Sequence, residues 1–205
     1  MKDLKKSKII LFAGCMTLLL AISGIWAFFH ATSSIKNKFT TSSSEMSIVE
    51  IFDKFDKWLP GEQKVKKVSF ENSGSADMLF RFKVDVSFEG STDEIPDGMV
   101  ICGWNNPYLK ENFQEVTSTE NGKPVTYYYY KKVFGKKDAT EDVMEYVEFA
   151  DDITKAYQGR QVNVTVTGEM VQLSENGAAA KDKGWAYYKQ NPNGDVEWDE
   201  FWPEA

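Results

Sequence analysis

The sequence predicts a mainly β protein, an antiparallel sandwich with one or two short helices, and three observations carry that prediction. Phe80, Phe82, Val84, Val86 and Phe88 alternate with Arg81, Lys83, Asp85 and Ser87, the period-two pattern of a strand with one face in a core and the other in water. Val162, Val164 and Val166 alternate in the same way with Asn163, Thr165 and Thr167. Turn-forming pairs such as Pro60-Gly61, Asp97-Gly98 and Asn121-Gly122 punctuate the chain between short apolar runs, and many short strands at such spacing favour two packed antiparallel sheets.

Each element follows in order. Residues 28–46 are polar and rich in Ser and Thr, an extended arm without strong periodicity. From Ile48 to Leu59 the apolar positions fit a helical stripe, while the β-branched content equally permits a strand. After Pro60-Gly61, Val65, Val68 and Phe70 sit in a short strand ended by Asn72-Ser73-Gly74. The Phe80–Phe88 strand comes next, then a loop from Gly90 to Gly98, then Met99-Val100-Ile101-Cys102 as a short buried strand. Residues 103–124 read as polar and turn-rich, with Asn121-Gly122 a hairpin turn. Val125 to Phe134 holds Tyr127, Tyr128, Tyr129 and Tyr130 and reads as a strand, with two tyrosines entering the core and two staying near the surface. Val143, Val147 and Phe149 mark another strand. Asp151 or Asp152 caps a short helix through Tyr157, and Gly159 ends it. The valine strand then runs on towards Leu173. The sandwich is expected to span residues 47–185. The remainder, 186–205, is an acidic aromatic tail that packs back on the domain or on another chain, because its rings would otherwise face water.

The first 27 residues have a different character. Lys2, Lys5, Lys6 and Lys8 precede an apolar run from Ile9 to Phe29, the order of an export signal. Gly24-Ile25-Trp26-Ala27 ends it with small residues, which places cleavage between Ala27 and Phe28. Two other readings stand beside this one. The run is long enough for a retained membrane anchor, and Phe12-Ala13-Gly14-Cys15 is a weak lipidation site, weak because the apolar run continues past Cys15.

Cleavage leaves 20 basic and 30 acidic residues, a net charge of −10. Such a surface repels nucleic acid and anionic lipid, so the membrane is expected to matter only through an uncleaved signal. Cys102 is then the single cysteine. An exported domain without an internal disulfide must rest on its core, and aromatic residues at 14 % of the chain supply one.

Several stretches together resemble a family. The leader's ending resembles those processed by SipW-type signal peptidases of Gram-positive bacteria. Trp58-Leu59-Pro60-Gly61, Lys67-Val68-Ser69-Phe70-Glu71-Asn72-Ser73-Gly74, Tyr157-Gln158-Gly159 and Gly168-Glu169-Met170-Val171-Gln172 are similar to segments of the TasA/camelysin family. The tyrosine run with Lys131-Lys132-Val133, and Gly184-Trp185, bring it nearest to the clostridial BsaA-type biofilm matrix proteins. The resemblance covers about residues 20–185, and the tail beyond departs from it. It implies a jelly-roll-like sandwich, export, and assembly into extracellular fibres with copies of itself or related matrix subunits.

Chemistry is sparse by comparison. His30 is the only histidine, no His-Glu-x-x-His pattern exists, and Cys102 lacks a basic partner in sequence. No catalytic, metal-binding or cofactor-binding residue is therefore assigned, and the camelysin-like metalloprotease reading is the least favoured. Asp151-Asp152 and Glu197, Asp199 and Glu200 have the oxygen ligands calcium needs, yet capping and a solvated acidic face explain them more simply. An internal Lys–Asn isopeptide bond has no pair that stands out. The expected function is a non-enzymatic, secreted matrix or cell-surface fibre subunit, joined by strand addition through residues 28–46. The alternative is a monomeric surface module binding glycan through the tyrosine strand or the tail aromatics.

Overall fold

A computed structural model describes residues 30–38, 46–52, 59–151, 159–173 and 178–199. Its strands are β1 (His30–Lys38), β2 (Met46–Phe52), β3 (Gln63–Asn72), β4 (Met78–Phe88), β5 (Val100–Trp104), β6 (Phe113–Glu120), β7 (Lys123–Tyr130), β8 (Met144–Phe149), β9 (Gln161–Gln172), β10 (Tyr187–Gln190) and β11 (Val196–Asp199). Two short helices, α1 (Asn106–Asn112) and α2 (Ala178–Asp182), complete the described elements. One sheet runs β1-β9-β4-β7-β6 and the other β2-β3-β8-β5, with β10-β11 a separate hairpin. From β3 to β9 the chain passes repeatedly between the two large sheets, so strands distant in sequence become neighbours. The fold is the expected mainly antiparallel β-sandwich with few short helices.

The core lies between the sheets and is dominated by phenylalanine. Phe70 from one sheet packs 4.8 Å from Phe80 and 5.1 Å from Phe82 of the other, measured between ring centroids. Phe134 and Phe149 are also fully enclosed. Tilted ring pairs at these spacings add to the burial of their apolar area. The alternation in β4 sends Phe80, Phe82 and Phe88 inward, and Val162, Val164 and Val166 of β9 join them.

Local chemistry explains the connections. Asn121 and Gly122 both adopt positive φ, 52° and 79°, the two-residue turn that matches the twist of a hairpin. It joins β6 to β7, which pair from Phe113↔Tyr130 to Glu120↔Lys123. Asn72, fully buried, closes the β3–β4 connection by donating through Nδ2 to the carbonyls of Ala76, Phe134 and Gly135 at 2.9, 2.9 and 3.1 Å. Its Oδ1 accepts from the Gly74 amide at 3.1 Å. One side chain thereby ties four backbone groups together, of which the Phe134 and Gly135 carbonyls also accept from the Met78 and Asp138 amides.

Four expectations change. The ambiguous segment after Ser44 forms strand β2 from Met46 to Phe52, while residues 53–58 lie outside the described ones. In β3 burial alternates without a break, so Lys66 lies inward with Val68 and Phe70, 1 % exposed, while Val65 faces outward, 40 % exposed. Lys66 pairs with Glu50 and lies 5.2 Å above the Phe52 ring. Burial pushes its ammonium pKa down, and the Glu50 carboxylate opposes that shift. The stretch 103–124 is not mainly turn: it holds α1, whose N-terminal Asn105 side chain accepts from the Tyr108 amide at 3.4 Å, and then strand β6. The helix proposed after Asp151–Asp152 falls on residues 152–158, outside the described ones.

The fourth change concerns the tyrosines. The hairpin β10–β11 lies against the outer face of the five-stranded sheet and makes a second buried cluster there. Tyr127 and Tyr129, each 2 % exposed, belong to this cluster, whereas Tyr128 and Tyr130 stand half-buried against the main core. All four rings therefore pack, on opposite sides of one strand, instead of two facing water.

Candidate functional site

The edge of the five-stranded sheet is the first candidate. β1 is its outermost strand and pairs with β9 in parallel, in register from His30↔Gln161 to Lys38↔Glu169. Every other registered strand pair described is antiparallel. β2, next along the chain, is an edge strand of the opposite sheet. The N-terminal segment thus contributes one strand to each sheet, both on margins. β9 is held on its other side by eleven registered partners of β4, from Met78↔Gln172 to Phe88↔Val162. A ladder made on one edge only can be supplied by any chain of suitable register, because its main-chain hydrogen bonds carry no record of which molecule donates them.

The second candidate is the cluster under the hairpin. Arg81 leaves the outer face of β4 and is 6 % exposed. Its Nε and Nη2 donate to Glu169 Oε2 at 2.8 and 2.6 Å, and its Nη1 donates to the Tyr129 hydroxyl at 2.7 Å. The guanidinium lies 3.8 Å from the Tyr127 ring centroid and 4.6 Å from that of Trp185, a cation between aromatic faces. The Tyr129 hydroxyl also accepts from the Ala186 amide at 3.1 Å, and the Tyr127 hydroxyl donates to Glu120 at 2.6 Å. Burial, then the Glu120 carboxylate, raises the Tyr127 phenol pKa; the hydrogen bond from Tyr127 in turn lowers that of Glu120. Trp198 caps the cluster, 4.5 Å from Tyr129, with its indole N–H on the Tyr130 carbonyl at 2.8 Å. Every polar group here has a partner, so this cluster fastens the tail and leaves no group aimed at a ligand.

The sequence-derived candidates fall apart in space. The cleavage pair Ala27 and Phe28 lies outside the described residues, as do Asp152 and Glu200. His30 opens β1. Cys102 points between the sheets, where burial raises its thiol pKa to about 11 against a small opposing effect of Lys66. Glu197 accepts from Asn191 Nδ2 at 2.9 Å, and Asp199 pairs across the hairpin with Tyr187. Among the described residues no group of three or more His, Cys, Asp and Glu side chains is placed to hold a metal ion. None of the described helices is long and apolar enough to cross a membrane; the apolar leader itself lies outside the described residues. Sequence reasoning missed Arg81 and Lys66, because each sits on a strand whose alternation marks it as water-facing or ambiguous. No protein-family model matches this chain, and no curated protein matches it either.

Proposed function

We propose that this chain is an exported structural subunit whose copies join into extracellular fibres at the cell surface or in a biofilm matrix, by passing the N-terminal strand from one molecule to the next. The observation that carries this reading is the parallel edge pairing of β1 with β9. β1 sits on the margin of its sheet, and the same residues 28–46 were expected from sequence to be a transferable arm. A strand that pairs intramolecularly at an edge can form the same ladder on a neighbouring copy, at a cost set mainly by association entropy. Each transferred main-chain hydrogen bond is worth about 0.5–1.5 kcal/mol net, so repetition along nine residues makes a durable link. Because donor strand and acceptor edge are different surfaces, the contact is heterologous and propagates as a filament. A SipW-type peptidase acting between Ala27 and Phe28 would free the arm.

Electron microscopy of purified protein beginning at Phe28, with and without residues 28–46, tests this reading. Fibres are expected only from the chain that keeps the arm, and a synthetic peptide of residues 28–46 added in excess should shorten them. Unchanged fibres from the truncated chain would end strand transfer as the mechanism. A persistent monomer at every concentration would end the fibre reading itself.

A further inference from the structure

At the opposite margin of the sandwich from β1, the five-stranded sheet ends at β6 and the four-stranded sheet ends at β5, with α1 bridging them. A cavity of about 410 Å³ opens there, within the size range of small-ligand sites. Trp104 and Tyr128 form its aromatic wall, with ring centroids 5.3 Å apart and planes inclined by 42°. Tyr128 is braced from behind by Phe82, stacked at 4.9 Å and 15°. The rim carries Asn106, Lys110, Gln114 and Glu115, all exposed.

Glu115 is the informative residue. It pairs directly with Tyr128 across β6 and β7, so both side chains project to the face of the sheet that elsewhere holds Phe113 and Phe82. A carboxylate on the core-facing side of a strand breaks the pattern that governs the rest of the molecule. It is accommodated because the opposite sheet stops short and leaves the cavity open. Burial, and then the Glu115 charge, push the Tyr128 phenol pKa up to about 12. Among the described residues, no buried side-chain nitrogen or oxygen lacks a hydrogen-bond partner.

We propose that this cavity binds a neutral carbohydrate, one or two pyranose units of a surface or matrix polysaccharide. The apolar C–H face of a pyranose lies flat on an aromatic ring, whereas its hydroxyls need groups that donate and accept around the edge. Asn106 does both, Lys110 donates, and Glu115 accepts, while Gln114, paired with Tyr129, meets the cavity through its backbone. A purely apolar ligand would strip water from these three side chains without replacing its hydrogen bonds. An anionic ligand would meet Glu115, and a cationic one Lys110. The site lies away from the β1–β9 edge, so binding and fibre formation can fail independently.

Calorimetry and amide-resolved NMR with cellohexaose, maltohexaose, chitohexaose and an oligogalacturonate test the assignment. At least one neutral hexamer is expected to bind saturably and to shift the amide signals of Asn106, Gln114 and Glu115. Trp104→Ala should weaken that binding at least about tenfold, the order expected when a stacking ring is lost. Glu115→Gln, an exposed change that leaves the fold intact, should weaken it severalfold and decides the matter if Trp104→Ala does not fold. Absence of saturable binding by all three neutral probes would overturn the proposal. So would tighter binding of the oligogalacturonate than of any of them, or affinity unchanged by Glu115→Gln.

Discussion

The two outer faces of the sandwich began from similar alternating strands and ended differently. On the five-stranded sheet, Leu79, Tyr127, Tyr129 and Val171 are buried beneath Trp185 and the tail's Tyr188 and Trp198. On the four-stranded sheet, Val49, Ile51, Val65 and Ile101 remain 48 %, 58 %, 40 % and 40 % exposed. A face is thus made interior not by its own strand but by whether another part of the chain returns to cover it. The same comparison explains why an arginine can sit in one face fully desolvated: cover excludes water, and the cover must then bring partners for whatever polar group it traps.

The largest expected effect lies on the covered face. Arg81→Ala should cost about 3–5 kcal/mol in urea unfolding, since it deprives the 13 % exposed Glu169 carboxylate of its guanidinium in a desolvated site. Arg81→Met, which keeps the volume, should also lose the charge, and its deficit should be eased by adding Glu169→Gln. If Arg81→Ala costs less than about 1 kcal/mol, the hairpin does not seal this face in solution.

A smaller effect comes from the interior thiol. Cys102 has its pKa raised to about 11 from 9.0, so its folded form holds a proton that the unfolded form gives up first. Stability therefore falls as pH rises from about 9 to 11, where the unfolded state binds fewer protons than the native one. At pH 8, in a Cys15→Ser background, iodoacetamide should label the native chain about a hundredfold more slowly than the urea-unfolded chain. Equal rates would show that the gap beside β5 admits solvent to the thiol.

The bare face should give the smallest effect. Ile51→Thr and Val65→Thr are expected to change unfolding free energy by no more than about 0.5 kcal/mol, the usual range for exposed positions. A loss above about 1.5 kcal/mol, measured at a concentration where the protein is monomeric, would mean that this face is covered after all and the contrast with the hairpin side would collapse.

Much of this could be read from local pattern. The run from Phe80 to Phe88 announced its strand and its inward residues, and Asn121-Gly122 announced both the turn and the pairing it enforces. Asn72-Ser73-Gly74 was legible as a turn, though not as the hub that ties residues 134–135 to the β3–β4 connection. Lys66 was not legible, since a lysine in phase with Val68 and Phe70 can lie inward only where another strand brings a partner, here Glu50 of β2. Arg81 was read as facing water, and by its own strand it does; the tail, more than 100 residues later in sequence, reverses that. The cavity wall unites Trp104 with Tyr128 and Glu115, residues without any shared motif.

By itself the sequence determined that runs such as Phe80–Phe88 and Val162–Val166 are strands, which side of each is apolar, and that Asn121-Gly122 turns the chain, because side-chain alternation and positive-φ turn residues act over a few neighbours. Tertiary structure alone decided that β1 runs parallel along β9, that the tail seals one face and not the other, and that a carboxylate stands at the mouth of an aromatic cavity. Those outcomes depend on pairing between distant strands, whose hydrogen-bonding edges are chemically alike and become distinct only once the sheets have assembled around a common core.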